Sequence, residues 1–135
     1  MIVVDTNILV YYYVNSEGTE QAVKVHEADP DWVAPYLWRS EFRNTLLQYL
    51  RKQLLNRSQL LLLTGAAEQK MRDHEYHIAS DDIFLLAGVS DCSAYDCEFV
   101  ALARSLGVPL VTADRGILAA FPETAVSPAQ FIAEN

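Results

Sequence analysis

Two cysteines in 135 residues are too few for a disulfide framework. Cys92 and Cys97 also lack histidines at ligand spacing, so they make no zinc site and read as ordinary reduced thiols. Histidine is scarce as well. His74 and His77 stand three apart in a polar connection without a third ligand, and read as structural or surface residues. No apolar run approaches membrane-spanning length, no Pro/Gly/Ser-rich stretch is long enough for a linker, and neither a repeat nor a low-complexity segment is present. From Met1 the chain runs directly into a strand-like stretch, without the basic region or apolar core of an export signal. The expectation is a soluble, cytoplasmic protein without membrane contact, folded as a single domain over residues 1–135.

Apolar residues make up 51% of the chain, enough for a proper core. The net charge of −8 argues at first against a polyanionic partner. Its distribution says more. Seven basic residues lie between Arg39 and Arg72 (Arg39, Arg43, Arg51, Lys52, Arg57, Lys70, Arg72) against only Glu41 and Glu68, a balance of +5, while the rest of the chain carries −13. A segregated basic span can meet phosphates or form a solvated face.

Strand-like and helix-like stretches alternate. Ile2 to Val4 reads as a buried strand, and ILVYYYV as an interior helix capped by Thr6 or Asn7. Tyr11, Tyr12 and Tyr13 read mainly as packing residues, with a groove or interface as the other reading. A turn at Asn15 to Gly18 leads to a helix over Glu20 to Ala28. Trp32 to Ala34 is a second strand, and a long helix from Tyr36 to Gln53 buries Trp38, Phe42, Leu46, Tyr49 and Leu50. On that helix Glu41 lies beside the stripe, in a series with Leu37, Asn44 and Gln48, less exposed than Arg39 and Arg43. Another helix runs from Asn56 to about Asp73, HEYHI is a short strand, and Ser80, Asp81 and Asp82 start the helix of IFLLAGV. Asp91 to Ser93 lead into a further helix. Gly107 stops it, Val108 to Thr112 is a strand, Asp114 caps a helix over Gly116 to Phe121, Ala125 and Val126 suit an edge strand, and Pro128 to Glu134 is a last helical turn or two. The alternation predicts a three-layer α/β/α sandwich around a central, mainly parallel sheet with right-handed crossovers.

Four acids stand out. Asp5 and Asp114 each follow a strand, at the carboxyl end where open parallel sheets gather ligands. On the helix after Ser93, Tyr95, Phe99, Leu102 and Leu106 form one stripe, Asp96, Val100 and Ala103 the next, and Glu98, Ala101, Arg104 and Ser105 the solvent side. Asp96 thus flanks the apolar face, where an uncompensated carboxylate costs on the order of several kcal/mol. Taken singly, Asp5, Asp96 and Asp114 could be helix caps, and Glu41 could pair with Arg39 or Arg43. Jointly, acids at one sheet edge repel unless a metal or a proton intervenes, and oxygen-only ligands select Mg²⁺ or Mn²⁺.

The set VVDTNIL, WRSEFRNTLL, AYDCEFVALA and LVTADRGIL resembles the PIN domain family, in particular small single-domain proteins similar to VapC toxins of bacterial toxin-antitoxin pairs. The likeness covers essentially the whole chain in the family's order and spacing. It implies a metal-dependent endoribonuclease with Asp5, Glu41, Asp96 and Asp114 as catalytic and metal-binding acids, holding one or two ions. Thr112 matches the hydroxyl residue of the TAD motif, Asn44 matches an asparagine one turn past the glutamate, and Thr6 joins them in a supporting place. Where some members carry another acid after the last aspartate, this chain has Arg115 and Gly116. Arg115, Arg39 and Arg43 are the candidate contacts to RNA. The resemblance also implies a homodimer and a small antitoxin whose tail covers the acidic site. Two rival readings remain at this level. One is another Asp-centred protein, although Asn7 replaces the second aspartate of haloacid dehalogenase-type phosphatases and no strand-end lysine of a response-regulator receiver follows Val111. The other is a domain of the same shape that binds RNA or protein without cutting.

Overall fold

A computed structural model describes all 135 residues. Five parallel strands form one sheet in the order β3-β2-β1-β4-β5, with β1 at Ile2–Val4, β2 at Trp32–Pro35, β3 at Glu75–Tyr76, β4 at Leu110–Val111 and β5 at Ala125–Val126. Eight helices flank it: α1 Thr6–Tyr13, α2 Thr19–Ala28, α3 Trp38–Arg51, α4 Arg57–Met71, α5 Ser80–Ala87, α6 Ala94–Leu106, α7 Arg115–Ala120 and α8 Pro128–Glu134. This is the expected three-layer α/β architecture. None of the helices is long and apolar enough to cross a membrane.

The order of strands places two of the four acids at one end of the sheet. β1 lies in the middle, with β2 and β3 added on one side and β4 and β5 on the other, so the winding reverses between β1 and β4. At such a switch the connections leave in opposite directions and open a crevice beyond the strand ends. Asp5 follows β1 and Asp114 stands three residues past β4, so both acids arrive there. All residues of β1, β2 and β4 are buried, as strands covered on both faces require.

Local chemistry accounts for the element ends, with some shifts from expectation. The cap of α1 is Asp5 itself, whose side chain accepts from the Thr6 amide, and Thr6 is already inside the helix. The α3 helix is shorter than the apolar pattern suggested. Tyr36 and Leu37 form a turn after Pro35, and the chain leaves at Gln53 with φ 59°. The β4 ladder is shorter as well, because the Val108 amide donates back to the Ala103 carbonyl and the Gly107 amide to that of Arg104. That closure of α6 uses Gly107 at φ 66°, a conformation with little strain only for glycine.

Two faces were assigned differently by the sequence. On α6, Ala101 is buried and Glu98 half-buried, whereas Tyr95 is 63% exposed. The reason is α5, which packs against α6 and covers the side that a lone amphipathic helix would turn to water. On α3, Leu50 is exposed and Tyr49 only half-buried, leaving Trp38, Phe42 and Leu46 as its core stripe.

Candidate active site

Asp5 is held from three sides. Its Oδ1 accepts from the Thr6 amide at 2.8 Å, and its Oδ2 accepts from the Thr112 hydroxyl at 2.6 Å and from Asn7 Nδ2 at 3.3 Å. Thr112, fully buried, in turn accepts from the Asp114 amide at 3.0 Å, so one hydroxyl ties the two strand ends together. Asp114 caps α7 through the Ile117 amide at 2.9 Å, which uses Oδ1. Glu41 accepts the Thr6 hydroxyl at 2.8 Å across 35 residues of sequence. Asp96 lies in the first turn of α6, where its amide donates to Ser93 Oγ at 3.0 Å. The supporting residues Thr6 and Thr112 thus bond to acids directly.

All four acids line one open cleft of about 300 Å³. None has a lysine, arginine or histidine in salt-bridge reach, although such bridges occur elsewhere in the molecule. The electrostatic consequence follows. Burial pushes the Asp5 carboxyl from its ordinary 3.8 to about 6. The Thr112 and Thr6 hydrogen bonds resist this shift, and repulsion from Asp96 and Asp114 adds to it. Glu41 is raised by burial and by the charges of Asp5, Asp96 and Glu98, against the pull of Thr6. Asp96 is raised by burial and by Asp114. A cluster that drives its own members toward protonation has room for positive charge.

The PIN domain family pattern matches residues 2–123. The chain belongs to the PIN domain family. Ribonuclease VapC3 of Pyrobaculum aerophilum is 30% identical to it over 124 residues, covering 90% of this chain and 95% of the relative. Among solved structures, FitAcB from Neisseria gonorrhoeae superposes with a TM-score of 0.74 at 16% identity, over 96% of this chain and 99% of that one. FitAB bound to an IR36 DNA fragment gives 0.70 at 18% identity, with 95% of each chain covered.

Other residues singled out from the sequence of this PIN domain fall elsewhere. Arg39 is not free for a substrate. Its guanidinium binds both oxygens of Glu75, through Nε and through Nη2 at 3.0 Å, and also meets Glu68, because α3, α4 and β3 converge there. Asn44 is exposed, makes no side-chain hydrogen bond and lies outside the cleft lining, where Thr45, four residues past Glu41, stands instead. Arg43 and Arg115 are exposed and form no ion pair, and Arg115 directly follows Asp114. Cys92 and Cys97 are free thiols, as expected. His74 faces Asp31 at 3.4 Å, and His77 stacks on Tyr36.

Apart from the groove reading kept open for Tyr11, sequence reasoning missed the far walls of the cleft. Asn7, Val10 and Tyr11 line it from α1, and Thr45 and Tyr49 from α3. A signal was present. Glu41, Thr45 and Tyr49 are spaced by four and share one helix face, as do Asn7 and Tyr11. Asn7 also buries its Oδ1 without any partner, an oxygen left over at the acidic end.

Proposed function

We propose that this chain is a divalent-metal-dependent endoribonuclease, the toxin of a toxin-antitoxin pair acting in the cytoplasm. The observation that carries the proposal is the unpaired acid cluster: four carboxylates in one cleft at the switch point, with no cationic side chain against any of them. The donors suit a hard cation in kind, because the cleft lining holds neither histidine nor cysteine, and the partnerless Asn7 Oδ1 adds a neutral oxygen. Asp5, Asp96 and Asp114 would hold one Mg²⁺ or Mn²⁺, and Glu41 a second ion or the attacking water. Such an ion, when bound, would make water a usable nucleophile near neutral pH and offset charge building on the phosphoryl oxygens.

The chain's own residues prepare this site. Thr112 and the Thr6 amide keep both oxygens of Asp5 oriented, and the Thr6 hydroxyl holds Glu41. Of the three arginines singled out from the sequence, Arg115 and Arg43 remain free for the RNA backbone. Mn²⁺-dependent cleavage of RNA with unpaired segments tests the proposal. Asp5→Asn and Asp96→Asn should each lower the rate by about a hundredfold or more, on the scale of losing one preorganised charge-stabilising group. Undiminished cutting by both variants removes the acids from the chemistry.

One observation favours the rival, a non-catalytic binding module. No three His, Cys, Asp or Glu side chains stand ready-made around a single point. Calorimetry separates the two: Mn²⁺ uptake that Asp5→Asn and Asp96→Asn abolish supports the nuclease, and no uptake supports the module. The relative's name and the VapC-like motifs bring partners into the same proposal. An antitoxin tail offering arginine would find an acidic cleft with no cation of its own. Exposed Phe84, Leu85 and Val89, on and just after α5, offer apolar surface to a second copy in a homodimer. Light scattering of the purified chain, alone and with the product of the adjacent reading frame, reads both associations.

A further inference from the structure

The cleft is chemically divided. Its acids gather at the sheet end, while Val10 and Tyr11 of α1 and Thr45 and Tyr49 of α3 form the walls leading away from them. The two tyrosines differ from the others around them. Tyr12 and Tyr13 are committed to packing. They meet edge to face at 5.0 Å, Tyr12 also lies against His26 and Trp32, and the Tyr13 hydroxyl bonds to the Ala66 carbonyl at 3.5 Å. Tyr11 and Tyr49 are half-buried and also pack against the core, Tyr49 lining a neighbouring apolar cavity as well, but neither has an aromatic partner or a hydrogen bond from its hydroxyl.

Tyr11 is nevertheless fixed in place. A Cβ on Gly18 would fall 2.5 Å from Cγ of the ring, so the tyrosine rests on bare backbone that only glycine leaves open. The Thr19 hydroxyl donates to the Tyr11 carbonyl at 2.6 Å and holds that turn against α1. A ring braced by the fold and left without a partner inside a ligand-sized cleft is preorganised for a flat guest.

We infer that Tyr11 and Tyr49 form a base-stacking subsite, which grips an unpaired base of the RNA beside the phosphate lying at the acids. This rests on the ribonuclease reading above and deepens it. A base within a duplex is stacked on its neighbours and cannot enter the cleft, whereas unpaired bases splay onto aromatic side chains. Stacking tolerates any base, so the subsite selects strandedness rather than sequence.

Two measurements test the subsite. In the first, Tyr11→Leu and Tyr49→Leu should each raise KM for a single-stranded substrate about tenfold, with the loss falling on KM rather than kcat, while Tyr11→Phe and Tyr49→Phe restore most of it. The wild type should lose at least the same factor on RNA made abasic at that nucleotide, and the double variant Tyr11→Leu/Tyr49→Leu should lose nothing more on it. Independent losses from the variant and the abasic site would overturn the inference, because a structural defect adds to a missing base.

In the second, 2-aminopurine at that nucleotide reports stacking on Asp96→Asn protein in Mg²⁺, where cutting does not intervene. Quenching that disappears on adding Tyr11→Leu or Tyr49→Leu supports the subsite. Equal quenching with and without the tyrosines, or none in any form, removes it and leaves the walls to a protein partner or to packing. Tyrosine-dependent quenching without any cleavage by the wild type would keep the subsite and sink the ribonuclease. Acid-dependent cleavage with tyrosine-independent quenching would do the reverse.

Discussion

Asp5 is buried and Glu75 half-buried with its side chain largely covered, yet their carboxyls are driven in opposite directions. Burial pushes Glu75 upward, but hydrogen bonds from Arg39 and from Trp38 Nε1, together with the guanidinium charge, outweigh it and hold the carboxyl below its usual range. Asp5 receives neutral donors only, and burial carries it to about 6. Both regions take acids out of water. Where the acid joins α3, α4 and β3, the fold supplies a cation; where acids gather beyond β1 and β4, it supplies none. The difference separates a carboxylate neutralised inside the fold from one left without a counter-charge: both accept hydrogen bonds, and only Glu75 has a resident cation.

The largest effect should come from breaking the satisfied corner. Arg39→Met strands Glu75 in the interior, and loss of one partner of a buried pair costs about 3 kcal/mol. Urea unfolding at pH 7 measures it. A loss below about 1 kcal/mol would class the corner with exposed pairs and dissolve the contrast.

Asp5 should show the opposite sign in its pH dependence. The folded value of about 6 lies above the ordinary 3.8, a gap on the order of 3 kcal/mol. Protonation therefore favours the fold: this contribution is complete below about pH 4 and is lost as pH rises through about 6. Unfolding of the metal-free protein across that range should show stability falling, and Asp5→Asn should remove most of the slope, leaving smaller parts of the same sign from Glu41 and Asp96. Glu75 acts in reverse, its stabilisation fading as pH drops toward its depressed value. A slope unchanged by Asp5→Asn would mean that Asp5 is not the strained acid.

Smaller effects probe the neutral donors. Thr112→Val removes the hydroxyl that Asp5 accepts and the acceptor of the Asp114 amide. It should cost about 1 kcal/mol at pH 7 and move the Asp5 carboxyl further up, as read by NMR titration. Thr6→Val, which frees the half-buried Glu41, should cost about 0.5–1 kcal/mol while shifting Glu41 upward in the same titration. A downward shift in either case would contradict the role of the hydroxyls as stabilisers of charged carboxylates.

Much of this was legible in the chain. Strand-end Asp5 and Asp114, and Asp96 after its Ser93 cap, are marked by local punctuation, and the alternation of short apolar runs with amphipathic ones announced the parallel sheet. Less legible was which flank of a helix meets which neighbour. Tyr49 has the spacing of a core residue and also that of Glu41, and only the position of α1 decides for the cleft. Ala101 looked solvent-facing because a periodicity read on α6 alone knows nothing of α5. Arg39 looked available because its partner Glu75 is 36 residues away.

By itself, then, the order of residues determined the acids, their caps and the layering, since hydrogen-bond satisfaction at element ends and the period of apolar burial are short-range properties. Packing of distant elements decided which charges met a partner. A cation from one helix reached Glu75 and none reached Asp5, and that outcome depends on distances through space that no spacing along the chain encodes.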